Sequence, residues 1–143
     1  MRITGEITPD SLKMMRSQFS SLNDAYQTKA LQSAIRAAAI PMRDTAKTKA
    51  SGFKLTGALE QDIKVKTHRR RGAVESAVGV EQRSRRSSLV HLIEFGTSHS
   101  VPRPFLRPAF DENKGKSAEI FAMQLRKNMS RIVARAKKQG ALR

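Results

Sequence analysis

The first third of the chain repeats its apolar residues at the spacing of an α-helix. From about residue 10, apolar side chains recur at steps of three and four residues: Leu12, Met15, Phe19 and Leu22. Thr8, Pro9 and Asp10 come directly before them, and these residue types are typical of a capped helix start. The pattern therefore predicts a helix that begins near residue 10.

A second, longer helical stripe follows and is rich in alanine. Its members are Leu31, Ala34, Ile35, Ala38, Met42 and Ala46. Small side chains allow such a helix to pack closely against a sheet. Pro41 lies inside the stripe, where a proline removes a hydrogen bond and clashes with the preceding turn, at a cost of about 3 kcal/mol. We therefore expect a bend at Ile40-Pro41.

Alternating patterns in the middle of the chain predict β-strands. Residues 59–67 place Leu59, Ile63 and Val65 on one face, and residues 73–81 do the same with Val74, Val78 and Val80. The intervening residues 69–72 are short enough to make a hairpin whose tip is cationic. Residues 2–8 alternate as well and predict a short edge strand.

Residues 89–95 predict a third main strand, and this strand is apolar on both faces. In that strand Leu89, Ile93 and Phe95 would share one face, and Val90 and Leu92 the other. One face suits the core of the domain. The other face would need a helix or a neighbouring subunit to cover it.

After Pro108 the apolar positions return to helical spacing, as Phe121, Leu125, Met129, Ile132 and Ala136. The fold class expected from all these patterns is α+β. We predict a small, mostly antiparallel sheet of three to four strands, packed by an N-terminal kinked helical region and a C-terminal helix. The 143 residues suit a single domain, 1–143, with a flexible arginine-rich hairpin and loop at about 68–88 and a frayed end at about 137–143.

Composition narrows the class of protein. The chain has no cysteine, which excludes disulfides and thiolate sites. It has neither an apolar run of about 20 residues that could span a membrane nor the apolar core of a signal peptide near its start. We therefore expect a soluble protein without a membrane partner, made in the cytosol.

Catalytic and metal-binding signatures are missing from the sequence. His91 and Glu94 are three residues apart, so on a strand they would point to opposite faces and could not share a site. The sequence contains no nucleophile elbow, glycine-rich phosphate loop or HExxH pattern. We predict no catalytic residue, no metal and no cofactor, and an enzyme would require a site of a kind that these signatures do not cover.

The net charge of +16 indicates a polyanionic partner. The charge is concentrated in residues 64–88 and in the tail from residue 113 onward, and the first of these stretches contains two arginine clusters: Arg69, Arg70, Arg71, Arg83, Arg85 and Arg86. These arginines could dock on acidic protein surfaces or face DNA through its phosphates. Aromatic residues that could stack on bases are absent from both clusters, which disfavours single-strand readout. Any contact with DNA would be made through backbone charge, and the net charge therefore motivates the alternative function, a sequence-independent nucleic-acid-binding protein that uses basic loops.

The proline-rich stretch 102–110 is the most specific feature of the sequence. Pro102, Pro104 and Pro108 fix an extended strap that holds Phe105 and Leu106. Together with AIRAAAIPMRDTAK at 34–47, LTGALEQDI at 55–63 and LIEFGTSHSVPRPFLRPAF at 92–110, this stretch resembles the tail-completion, or head-tail joining (neck), proteins of long-tailed bacteriophages. The resemblance covers about residues 30–125.

This resemblance implies a noncatalytic virion protein at the neck or tail junction, assembled in the host cytoplasm. It implies a homo-oligomeric ring, expected to be a hexamer, between the head connector and the tail, with neighbouring neck and tail-terminator proteins as partners. The expected interface is Phe95, Gly96, Thr97, Pro104, Phe105, Leu106 and Arg107. For the basic clusters we favour docking over non-specific contact with DNA in the channel, because tight DNA contact would slow genome exit while opposed charge speeds protein encounter.

Overall fold

Two long helices form the frame of the fold. The structure is a computed structural model that describes residues 9–20, 24–52, 59–81 and 87–138. Its elements in chain order are α1 (Pro9–Ser20), α2 (Asp24–Ser51), α3 (Leu59–Asp62), β1 (Ile63–Arg70), β2 (Ala73–Val80), α4 (Ser87–Phe95) and α5 (Leu106–Lys138). The two helices predicted near the start of the chain and the long C-terminal helix are confirmed.

Helices α2 and α5 pack antiparallel along most of their length. Asn113 Nδ2 donates to Thr45 Oγ1 at 2.8 Å, and fifteen residues further along α5 Asn128 Nδ2 donates to the carbonyl of Ala30 at 3.1 Å. The side of α2 that is turned inward consists mainly of buried alanines: Ala30, Ala34, Ala38, Ala39, Ala46 and Ala50. Because alanine is small, the backbones of neighbouring elements can approach closely.

Pro41 lies inside α2 without ending it. The helix runs from Asp24 to Ser51 and includes the proline. The expected bend at Ile40-Pro41 stays a prediction.

Strands β1 and β2 form the predicted hairpin. They pair antiparallel from Ile63↔Val80 to Arg70↔Ala73. Arg71 and Gly72 make the turn with φ of 49° and 82°, and two consecutive positive φ values are typical of the type I′ turn that suits the twist of a hairpin. The first strand begins at Ile63 rather than Leu59, because residues 59–62 form the short helix α3.

The prediction of a third main strand over residues 89–95 was wrong. These residues lie in helix α4. Apolar residues at 89, 92 and 93 have the three- and four-residue spacing of a helix, and the run 89–95 never alternates cleanly, so the strand assignment had a weak basis. The described residues thus hold an α+β fold with a two-stranded sheet, not the predicted three to four strands. The predicted edge strand at 2–8 lies outside the described residues.

The core sits where α2 ends, α5 begins and β1 starts. Its fully enclosed members include Ile63 and Phe105, both 0 % exposed, with Leu59, Ala46, Ala50 and Ala109 around them. Val90 and Ile93 of α4 pack against this cluster, as do Val78 and Val80 of β2. Helix α4 therefore covers the core with one side and leaves its other side to solvent.

Candidate assembly site

Glu94 joins the end of α4 to the start of α5. Its carboxylate accepts hydrogen bonds from three consecutive backbone N–H groups, those of Phe105 and Leu106 on Oε2 at 2.9 and 3.1 Å and that of Arg107 on Oε1 at 3.0 Å. The first N–H groups of a helix have no partner within the helix, and the helix dipole favours a negative charge there. Glu94 is thus the cap of α5, supplied from another helix.

A tight turn follows Glu94 and returns the chain toward α5. Gly96 has φ of +75°, and its N–H donates to the Leu92 carbonyl at 2.8 Å, which ends α4 with the left-handed glycine common at helix C-termini. A Cβ on Gly96 would meet Pro102 and the Ser100 carbonyl oxygen at 2.8 Å. Glycine is therefore required both by the backbone angle and by the close approach of the strap.

The strap is shorter than predicted, because α5 begins at Leu106 and includes Pro108 in its first turn. The remaining strap, between the turn and α5, is held by backbone hydrogen bonds. Thr97 and Ser100 form a two-way bridge, with N···O distances of 2.9 and 3.3 Å. Arg103 N–H donates to the Ile93 carbonyl at 2.8 Å. Pro104 lacks an N–H, and the next three N–H groups are those that Glu94 accepts. The first residues of the strap are thus held by the bridge between Thr97 and Ser100, and its last residues are fixed to α4 through Ile93 and Glu94.

The predicted interface residues meet at this corner, but not all reach the surface. Phe95, Thr97, Pro104 and Arg107 are exposed, while Gly96 and Leu106 are partly buried. Phe105 was expected to be presented to a neighbouring subunit, and the structure places it in the core of the monomer with 0 % exposure. Its side chain anchors the corner from inside.

The outer side of α4 carries exposed apolar residues. Leu89, Leu92 and Phe95 are 48 %, 45 % and 59 % exposed, and their three-residue spacing places them on one side of the helix. We call these three residues the α4 apolar face. The ring of His91 packs on that of Phe95, with centroids 4.7 Å apart. Apolar side chains exposed side by side in this way are typical of a surface that another polypeptide covers.

The base of the hairpin packs in the same core as Phe105, while its cationic tip lies at the opposite end of the two strands. Arg69, Arg70 and Arg71 are exposed at its tip, and Arg83, Arg85 and Arg86 lie outside the described residues. At its base, Lys64 Nζ donates to Glu81 Oε2 at 2.9 Å and Lys66 Nζ lies 3.3 Å from Oε1. The hydrogen bond between Lys64 and Glu81 raises the pKa of the lysine and lowers the pKa of the carboxyl. Glu81 thus offsets part of the positive charge at the base of the hairpin.

Comparison with known protein families shows which family the chain belongs to. The family described as "Bacteriophage HK97-gp10, putative tail-component" matches residues 13–96, more than half of the chain. The chain belongs to this family. No curated protein and no solved structure matches this chain.

The HK97-gp10-like match extends from α1 to Gly96 and so includes α2, the hairpin and the whole of α4. The resemblance to tailed-phage tail and neck proteins is confirmed at the level of a phage tail component. The family description names a structural component of the virion, not an enzyme. The α4 apolar face and Glu94 both lie within the matched segment, while the strap and the capped helix α5 lie beyond it.

Two further properties bear on this tail component. Within residues 9–20, 24–52, 59–81 and 87–138, no group of three His, Asp or Glu side chains could hold a metal ion. No helix in the same ranges combines the length and the apolar character needed to cross a bilayer. His91 and Glu94 do share a helix rather than a strand, but Glu94 is engaged with α5 and His91 with Phe95.

Sequence reasoning missed the role of Glu94 entirely. The glutamate was considered only as a metal ligand or acid–base partner of His91. Its true partners are backbone groups eleven to thirteen residues later in the chain. The sequence does contain a signal, because Glu94 is an acidic residue that precedes a proline-rich helix start and could cap that helix. The contact between them, however, depends on the turn at Gly96.

Proposed function

We propose that this protein is a structural virion protein of a long-tailed bacteriophage that completes the tail and joins it to the head. In this role it forms a ring, by resemblance a hexamer, between the head connector and the tail. The observation that carries the proposal is the α4 apolar face, exposed within the segment that matches a phage tail component. A tail component must bind neighbouring subunits, and this face is suited to such contact.

The energetics of the α4 apolar face favour its burial against protein. Complete burial of a Leu or Phe side chain contributes about 1.5 to 3 kcal/mol. In a ring, each subunit offers one surface and receives a different surface of its neighbour, so the α4 apolar face would pack against another surface of the next subunit. The interface proposed here contains the α4 apolar face with Gly96, Thr97, Pro104, Leu106 and Arg107, and Phe105 supports it from the core.

The basic hairpin suits contact with the adjoining proteins of the neck. The tip of the hairpin carries Arg69, Arg70 and Arg71, at the opposite end from the base that packs in the core. Opposed charge gives selectivity and faster encounter. We propose that this tip docks on acidic rims of neighbouring neck and tail-terminator proteins.

The first experiment tests the α4 apolar face with purified protein. Leu92→Asp and Phe95→Asp place a charge in the proposed interface, and we expect both to shift the oligomer to monomer in light scattering after gel filtration. Met123→Asp is the matched control, because Met123 is 62 % exposed on α5. It lies seventeen residues beyond the start of that helix, about 25 Å along its axis. Equal loss of assembly in all three variants would remove the α4 face from the proposal.

The second experiment tests the site of action. Deletion of the gene in the phage that encodes it should leave DNA-filled heads and separate tails, visible by negative-stain electron microscopy. Expression of the wild-type protein in trans should restore joined virions, and Phe95→Asp should fail to do so. Joined particles with the gene deleted would contradict the proposed role in tail completion.

A further inference from the structure

Helix α2 is flanked by two open depressions that share a basic edge. The first, of about 490 Å³, lies between α2 and β1 and is lined by Lys29, Gln32, Ser33, Arg36 and Thr67, among others. The second, of about 210 Å³, lies between α2 and α5, and its lining includes Lys29, Ser33, Asn128, Arg131 and Arg135. Since Lys29 and Ser33 line both, we call the pair the double groove.

The double groove is cationic and contains no acidic side chain. Its charged lining residues are Lys29, Arg36, Arg131 and Arg135, all exposed. Within the part of the chain that the structure describes, none of the four forms an ion pair. Their charges are therefore available to an anionic partner, in contrast to Lys64 and Lys66, which face Glu81.

The wall of the second depression is fixed by hydrogen bonds. Asn128 Nδ2 donates to the Ala30 carbonyl at 3.1 Å, and Asn128 Oδ1 accepts from Gln124 Nε2 at 3.2 Å. The bond to Ala30 ties α5 to α2 beside the second depression. Arg131 and Arg135 lie one and two turns further along α5, so both cations stand on a helix rather than on a loop.

The other lining groups distinguish between possible polyanions. Hydroxyl and amide groups on Ser33, Gln32 and Thr67 stand beside the cations, and such side chains together with Arg and Lys make most contacts to DNA phosphates. Large apolar anchors, which dominate protein interfaces, are limited to Ile40 and Ile132. The lining has no aromatic residue, which disfavours stacking on the bases of a single strand.

We propose that the double groove binds the phosphodiester backbone of duplex DNA without reading its sequence. Along α2, Lys29 and Arg36 are about 10 Å apart, and along α5, Arg131 and Arg135 are about 6 Å apart. These spacings correspond to about two to three steps of duplex DNA, whose rise is about 3.4 Å per base pair. Four such contacts give weak, salt-sensitive binding, which is compatible with DNA that must move past the protein.

This activity goes beyond the proposed joining function and uses a different surface. The double groove shares no residue with the α4 apolar face. Leu92→Asp, designed to prevent self-assembly, should therefore still bind DNA. Failure of ring assembly and failure of DNA binding can thus be told apart.

The test measures the salt dependence of binding to a fluorescein-labelled 20-base-pair duplex by anisotropy. The groove variant combines Lys29→Gln, Arg36→Gln, Arg131→Gln and Arg135→Gln. The matched control combines Lys114→Gln, Lys116→Gln, Arg16→Gln and Arg103→Gln, four exposed cations outside both the double groove and the proposed interface. Each set removes four cationic side chains and lowers the net charge from +16 to +12.

Each lost phosphate contact reduces the slope of log K against log salt by about 0.9. We expect the slope for the groove variant to be shallower than that for wild type by about 3 to 4 units. Its affinity for the duplex at 50 mM salt should be at least about tenfold lower. The control should change the slope by less than about one unit. Substitution of the three arginines by lysine, which keeps the charge, should retain most of the binding.

Three results would overturn the proposal. The first is that wild type does not bind the duplex at 50 mM salt, and the second is that the slope changes equally in the two neutralised variants. The third is that poly-glutamate displaces the duplex at the same charge concentration as unlabelled DNA does. The last result would assign the groove to acidic polypeptides. Should the groove variant misfold, wild-type protein decides the question. Bound duplex should protect Lys29 but not Lys114 from acetylation, and equal reactivity would overturn the proposal.

Discussion

Glu94 and Gly96 together hold the junction between α4 and α5. The glutamate supplies the acceptors for three N–H groups of α5, and the glycine provides the backbone angle that brings the two helices together. Neither side chain adds much apolar area to the core. Their contribution is to orient α4, so that Val90 and Ile93 face the core while Phe95 faces solvent.

Glu94→Ala should lower the free energy of unfolding by about 2 kcal/mol, because the helix loses a cap that makes charge-assisted hydrogen bonds. Glu94→Gln keeps acceptor oxygen but loses the charge, so we expect about half of that loss. Urea unfolding monitored by circular dichroism measures both. Glu119→Ala, at an exposed position of α5, is the control and should stay within about 0.5 kcal/mol of wild type. A Glu94→Ala protein as stable as the control would show that the cap is dispensable.

Gly96→Ala should destabilise the fold by about 1 to 3 kcal/mol. The added Cβ would strain a residue at φ of +75° and would meet Pro102 and Ser100 at 2.8 Å. Gly115→Ala is the matched control, because Gly115 lies within α5 with nothing near its missing Cβ. Alanine there should stabilise by about 0.5 to 1 kcal/mol through its helix propensity. Thermal unfolding checks the opposite signs, and two shifts in the same direction would contradict the geometry of the turn.

At the scale of elements, the strap delivers Phe105 to the core at the point where α5 begins. The residue is 0 % exposed and packs with Ile63, Leu59 and the end of α2. The proline-rich sequence thus builds a fixed entry to a helix rather than an exposed contact. Truncation of Phe105 should therefore destabilise the monomer itself, whereas truncation of a surface phenylalanine should not.

Phe105→Ala should lower the free energy of unfolding by about 3 to 5 kcal/mol, because it leaves a cavity in the core. Phe110→Ala is the matched control: the same substitution, five residues later, at a side chain that is 55 % exposed. We expect that loss to be below about 1 kcal/mol. Chemical unfolding of the monomer compares the two, and a small loss in Phe105→Ala would return the residue to the list of interface candidates.

Local patterns predicted the elements whose signal is local. The hairpin followed from alternating apolar residues and a short connection at 69–72, and α2 and α5 followed from apolar residues at helical spacing. Residues 89–95 were misassigned because a dense apolar run obscures the helical spacing of residues 89, 92 and 93, whereas the helix places Val90 and Ile93 together against the core. The cap by Glu94 and the burial of Phe105 could not be predicted, since both depend on how α4 folds back onto α5. The sequence did not show which of the predicted interface residues face outward, and the interface itself stays a prediction.

At the scale of the whole molecule, net charge and the α4 apolar face act in opposite directions. Subunits that each carry +16 repel one another, whereas the exposed leucines and Phe95 favour association. Salt shortens the range of charge repulsion, to about 10 Å at 0.1 M and about 3 Å at 1 M, but leaves apolar burial in place. Binding to DNA or to acidic partners instead weakens as salt rises, because it depends on attraction between opposite charges.

Self-association should therefore increase as salt rises from about 50 to 500 mM, while binding to duplex DNA decreases over the same range. Light scattering after gel filtration measures the first and anisotropy the second on one preparation of the protein. Leu92→Asp is the control, and its mass should stay that of a monomer at every salt concentration, because relief of repulsion alone supplies no attraction. If wild-type association instead falls with salt, charge pairing rather than the α4 apolar face holds the subunits together, and the interface must be sought among the cationic surfaces.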